Sequence, residues 1–130
     1  MRRVSARKIA WALIAIGIVL HVYIDLFLSD RPLSVFGLLG VIIWPSLPYV
    51  VCAVALRRWG PGAAIGGSAV ALGLDAMTVY SVFIHATTST APLAMLFVPL
   101  WSLLVFTPLG IAAGRLIGQR MGSSSSTPRP

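Results

Sequence analysis

The chain has 130 residues, of which 58% are hydrophobic and only 10% charged, with a mean hydropathy of +0.92. Soluble domains carry about 25% charged residues and need polar side chains over most of their exterior, so this composition excludes an ordinary water-soluble domain and points to lipid as the solvent. The net charge of +7 does not indicate nucleic acid, because the cations sit at the ends of apolar runs and not on a face with aromatic stacking partners. The single cysteine, Cys52, rules out an intramolecular disulfide framework.

A membrane-spanning helix needs about 20 predominantly apolar residues to cross a hydrocarbon core about 30 Å thick. Four runs meet that length: 9–28, 35–56, 62–84 and 92–114. None alternates with period two, so a barrel is not expected. The first run follows a basic start, as a secretory signal does, but HVYIDLF continues without a small-residue cleavage site, so an uncleaved first helix is expected. Connections of Ser29 to Pro32, Arg57 to Pro61 and His85 to Ala91 are short enough to make consecutive helices antiparallel neighbours. Thr90 or Ser89 stands where a helix cap belongs, with Pro92 in the first turn after it. From Gly122 the sequence GSSSSTPRP is polar and low in complexity.

Nine of the ten Lys and Arg residues (Arg2, Arg3, Arg7, Lys8, Arg57, Arg58, Arg115, Arg120 and Arg129) fall on one side of these runs, and only Arg31 on the other. Positive residues stay cytoplasmic. The expected fold is therefore all-α and polytopic: four transmembrane helices in an up-down bundle with both termini in the cytoplasm. It comprises a basic N-terminus (1–8), a transmembrane domain (9–118) and a disordered cytoplasmic tail (119–130). A bacterial inner membrane is the expected location.

Ionisable groups inside spanning helices are costly and mark sites with a partner. Asp75 is the sharpest, fourteen positions into the third run, too deep to reach either surface easily. At 100° per residue, Ser68, Asp75 and Thr78 share one face. His21 is thirteen positions into the first run, so a helical rise of about 1.5 Å per residue sets it level with Asp75. A His21–Asp75 pair is therefore geometrically open, either as a structural polar link or as a proton- or cation-linked site. Asp25 lies four residues beyond His21, on the same face, and His85 follows the third run within reach of Asp25 or Asp30. Imidazole and carboxylate both bind divalent metals, but no ligand spacing here calls for a metal, and no cofactor is expected.

Interior prolines remove a helix hydrogen bond. Pro45 and Pro48 do so in the second run, Pro99 and Pro108 in the fourth, either as plain kinks or as broken helices of the kind that form binding sites in transporters. Small residues recur at four-residue spacing: Gly110, Gly114 and Gly118 on the fourth helix, Ala63, Gly67 and Ala71 on the third. Such ridges let helices approach closely, within the chain or between copies.

The segment from Ser89 to Trp101, STAPLAMLFVPLW, resembles a segment in small bacterial four-helix inner-membrane proteins with no assigned activity. The resemblance covers about a tenth of the chain and implies a similar helical membrane protein, not a reaction. In size the chain also resembles the small multidrug transporters. Those carry an essential acid central in the first helix, whereas Asp25 here lies near its outer end.

No nucleophile triad, phosphate loop or dinucleotide fingerprint is present, so no positive case for an enzyme arises. Two expectations remain. One is a non-catalytic accessory or assembly component working through helix packing, with the bilayer and a homo-oligomer or larger membrane complex as partners. The other is a small proton-coupled transporter or channel using Asp75 and His21.

Overall fold

A computed structural model of the chain describes residues 5–28, 42–84 and 97–123. Among them the fold is all-helical, with four helices. Helix α1 runs Ala6–Tyr23 and continues through a wider, π-helical turn, Ile24–Leu28. Helix α2 is Trp44–Trp59. Helix α3 is Pro61–Val79, continued by a wide turn at Tyr80–Ile84. Helix α4 covers residues 97–123, with a wide turn at Ser102–Phe106 and regular helix over Thr107–Ser123. Three helical spans, Ala6–Tyr23, Pro61–Ile84 and Phe97–Met121, are long and apolar enough to cross a membrane.

The boundaries differ from the sequence reading in four places, each with a local cause. Helix α1 starts three residues before Ile9, because extended Ser5 leads into the helix and its carbonyl accepts from the Lys8 and Ile9 N–H groups at 2.8 and 3.2 Å. The link expected over Arg57 to Pro61 shrinks to Gly60. Arg57, Arg58 and Trp59 stay helical, since their polar ends extend outward from a helix end without unwinding it. Pro61 enters the first turn of α3, where its missing N–H removes no helix bond. Gly60 turns the chain at φ 89° and ψ −179°, a combination essentially reserved for glycine. Helix α4 runs past Gly114 to Ser123, so residues 119–123, expected in the disordered tail, are helical. Loss of hydropathy ends a membrane span but does not by itself end a helix. The start expected at Val35, most of the Ser89-to-Trp101 segment and residues 124–130 lie outside the described residues.

The prolines take two kinds of place. Pro45 occupies the first turn of α2, and Pro48 lies inside that helix, buried. The Ser46 hydroxyl donates to the Ile42 carbonyl at 2.6 Å, a side-chain bond just upstream. On α4, Pro99 is buried and Pro108 follows the wide turn. There the Thr107 N–H reaches back five residues to the Ser102 carbonyl, and the buried Ser102 and Thr107 hydroxyls approach to 3.5 Å. Widening one turn gives the Pro108 ring room beside the preceding carbonyls.

Buried side chains group in layers. Ala10, Leu56 and Ala64 form one, and Ala55, Ala63 and Ile111 another. A third joins Ile14, Tyr49, Cys52 and Ala71. Small residues dominate, so the helices pack at short distance. The ridge of Gly110 and Gly114 is used within the chain, but against Gly62 and Gly66 rather than Ala63, Gly67 and Ala71. A Cβ on Gly66 would stand 2.8 Å from the Gly114 Cα, and one on Gly110 would stand 2.6 Å from the Gly66 carbonyl oxygen. Gly118 lies at the end of this seam, its added Cβ 3.7 Å from the Gly62 Cα. Gly67 faces Ile111 and Cys52 instead, while Ala63 and Ala71 fill the layers above.

Backbone cannot retreat as a side chain can, so Gly66→Ala should destabilise the protein by about 1–3 kcal/mol through overpacking. Gly73 has no neighbour within 4 Å of an added Cβ, so Gly73→Ala should be neutral or stabilise by up to about 1 kcal/mol. Denaturant titration of both variants in the same detergent micelle measures the difference.

Candidate functional site

Three helices meet around one carboxylate. Positions 64, 68, 71 and 75 of α3 form a stripe spaced by four, three and four residues, the period of a buried helix face. All four are buried. Ala64 and Ala71 bring neighbours close, and Asp75 supplies the one charged group on that stripe. Its side chain is 8% exposed and that of His21 is 10%.

His21 Nε2 lies 3.0 Å from Asp75 Oδ2. On the same oxygen, the Tyr49 hydroxyl donates at 2.5 Å. One donor thus comes from α1 and one from α2, and both meet the acid of α3. Such charge-assisted bonds are stronger than neutral ones. Neutral or protonated, an imidazole with hydrogen on Nε2 donates to the carboxylate. The second carboxylate oxygen and His21 Nδ1 have no hydrogen-bond partner among the described residues.

Tyr49 is completely buried, and α1 makes the space for it. A Cβ at Gly17 would fall within the Tyr49 ring. Gly17 and His21 are four residues apart, so they lie on one face of α1. The phenol rests across that face, its ring centroid 5.9 Å from the imidazole at an interplanar angle of 60°. Glycine first and histidine one turn later give the ring a flat seat and its hydroxyl a direction toward Asp75. Sequence reasoning missed Tyr49. The signal was available, because an aromatic hydroxyl within an apolar helix needs an acceptor.

Of the remaining expected residues, Ser68 and Thr78 do not join this cluster. Ser68 is fully buried, but its hydroxyl donates to the Ala64 carbonyl at 2.5 Å. Thr78 donates to the Leu74 carbonyl at 2.8 Å. Both turn back onto their own helix, a habit of Ser and Thr in apolar surroundings. Asp25 belongs to the wide turn that ends α1, with its side chain outside the described residues, and His85 lies outside them altogether. Among the described residues no three His, Cys, Asp or Glu side chains converge to hold a metal ion. Chemically, the cluster holds one carboxylate, one imidazole able to share a proton with it, and one neutral hydroxyl donor.

No family model matches the chain, and neither a curated protein nor a solved structure matches it.

If the Tyr49–Asp75 bond contributes to stability, Tyr49→Phe should cost about 0.5–2 kcal/mol, and clearly less in an Asp75→Asn background. A double-mutant cycle by thermal melting in detergent reads this coupling. Equal costs in both backgrounds would assign the bond no energetic role. Gly17→Ala should cost more than Tyr49→Phe, about 1–3 kcal/mol, because it displaces the ring as well as its bond.

Proposed function

We propose that this chain is a multi-pass component of a cell membrane whose role is non-catalytic and depends on packing against partner helices. In this reading it spans the bilayer four times as an up-down bundle, with both termini cytoplasmic, in a bacterial inner membrane. The observation that carries it is where the polar groups point. Asp75, His21 and Tyr49 bond one another, and Ser68 and Thr78 bond their own helix backbone. Side chains as large as Ile16, Val19, Val54, Met77, Leu104 and Leu109 stand exposed around them. The polar interior stabilises the fold, and the apolar exterior is available to lipid and to other helices. The layer order favours antiparallel neighbours, since Ala10 meets Leu56 while Ile14 meets Tyr49 and Cys52. Kinship with the small bacterial inner-membrane proteins that share the Ser89-to-Trp101 pattern belongs to the same proposal.

A second reading, a proton-coupled transporter or channel, draws on one observation. The buried His21–Asp75 pair can gain or lose a proton, and such pairs in membrane interiors serve as proton relays.

Two measurements separate the readings. In native membranes solubilised gently, the chain should migrate in a complex larger than its own mass of 13.8 kDa, and recovery of the lone chain would count against this reading. In liposomes under a pH gradient, wild-type protein and folded Asp75→Asn should give the same proton flux. Flux that depends on Asp75 would replace the packing reading with the transport one. For the topology, a reporter active only in the cytoplasm should be active at either terminus, and activity of a periplasmic reporter at either end would overturn it.

A further inference from the structure

Five cations lie on one rim of the molecule. The layer of Ala10, Leu56 and Ala64 is followed, within about a turn, by Arg7 and Lys8 on α1 and by Arg57 and Arg58 on α2. The seam of Gly62 with Gly114 and Gly118 brings Arg115 of α4 to the same end. All five are exposed.

Among the described residues no side-chain carboxylate stands close enough to neutralise them. The chain has three acids, Asp25, Asp30 and Asp75. Asp75 is bound to His21 and Tyr49, thirteen residues along α3 from Gly62, or about 20 Å of helix. Asp25 is eighteen residues along α1 from Arg7, about 27 Å of helix, and Asp30 follows Leu28 by two residues, a reach of about 7 Å. Among the described residues the positive charge of this rim is not met by a carboxylate, and it is open to an external anion.

Two exposed indoles identify the level at which the cations sit. Trp11 follows Lys8 by three residues and is 44% exposed, and Trp59 adjoins Arg58 and is 48% exposed. Tryptophan concentrates at the bilayer interface, at headgroup depth. Cations flanked by indoles at that depth meet lipid phosphates, and anionic leaflets attract them further.

We propose that this rim is a binding surface for anionic phospholipid headgroups, with Arg7, Lys8, Arg57, Arg58 and Arg115 donating to headgroup phosphates and Trp11 and Trp59 seated beside them. The inference rests on the membrane-spanning reading above, and the test separates the two. Indole fluorescence is measured in vesicles holding equal mole fractions of a phosphatidylglycerol and a phosphatidylcholine, with bromine placed on the acyl chains of one or the other. Trp44→Phe and Trp101→Phe remove the other two indoles.

Brominated phosphatidylglycerol should quench several-fold more effectively than brominated phosphatidylcholine. High salt should erode the difference, and Arg7→Gln, Arg57→Gln and Arg58→Gln should each lower the preference, by up to about fivefold per cation. Equal quenching by the two lipids would overturn the proposal and leave the membrane reading standing. Quenching by neither would remove the membrane reading itself. A preference that survives all three Arg→Gln substitutions would overturn the assignment to these residues. The salt series on the unsubstituted chain tests the electrostatic origin even if a variant fails to fold.

Discussion

A carboxylate in an apolar interior must be met by hydrogen-bond donors, and meeting Asp75 fixes how the first three helices stand. Aspartate is short, so donors on two other helices reach it only if all three backbones come close. That explains why the surrounding positions are so small. Ala10, Ala64 and Ala71 allow the approach, Gly17 gives way to the Tyr49 ring, and His21 follows one turn later. Larger side chains at those places would bury more apolar area and leave the acid unsatisfied, at a cost of several kcal/mol in a medium without water.

The fourth helix is held by different means. The Ser102–Thr107 hydroxyl approach stays within α4 and ties it to no neighbour. Backbone meets backbone instead, through Gly62 and Gly66 on one side and Gly110 and Gly114 on the other. Helix α3 thus presents two faces with two chemistries. Its stripe of Ala64, Ser68, Ala71 and Asp75 uses small size plus one charge, and its glycine pair uses small size alone. In lipid, where exclusion of water gives helices no reason to associate, close packing and a few polar bonds are what remains.

Much of this was legible in the sequence. Hydropathy and run length marked the helical segments, since lipid imposes both. Counting residues from the ends of two runs placed His21 and Asp75 at one depth, because helical rise is nearly constant. What depended on lateral facing was not legible. Gly62 and Gly66 have the same spacing as the alanine–glycine ridge noted beside them, and only the direction of α4 distinguishes the two sets. Tyr49 reads as one more large residue in an apolar run until the acid across from it is known. The helix ends at Trp59 and Ser123 escaped notice for a related reason. Hydropathy reports where the hydrocarbon stops, whereas a helix stops where its backbone is interrupted, as it is at Gly60.

The glycine seam between α3 and α4 also limits how those helices could ever move. Where carbonyl and Cα atoms interlock at four-residue intervals, sliding by one residue would drive Val70 or Ile111 into the space that only a hydrogen atom fills now. Matching small residues come back into line after a shift of four, about 6 Å along the axis. The pair behaves as a ratchet with widely spaced stops, not as a sliding bearing. Any rearrangement of this molecule that keeps the seam closed would then carry α3 and α4 together as one lever.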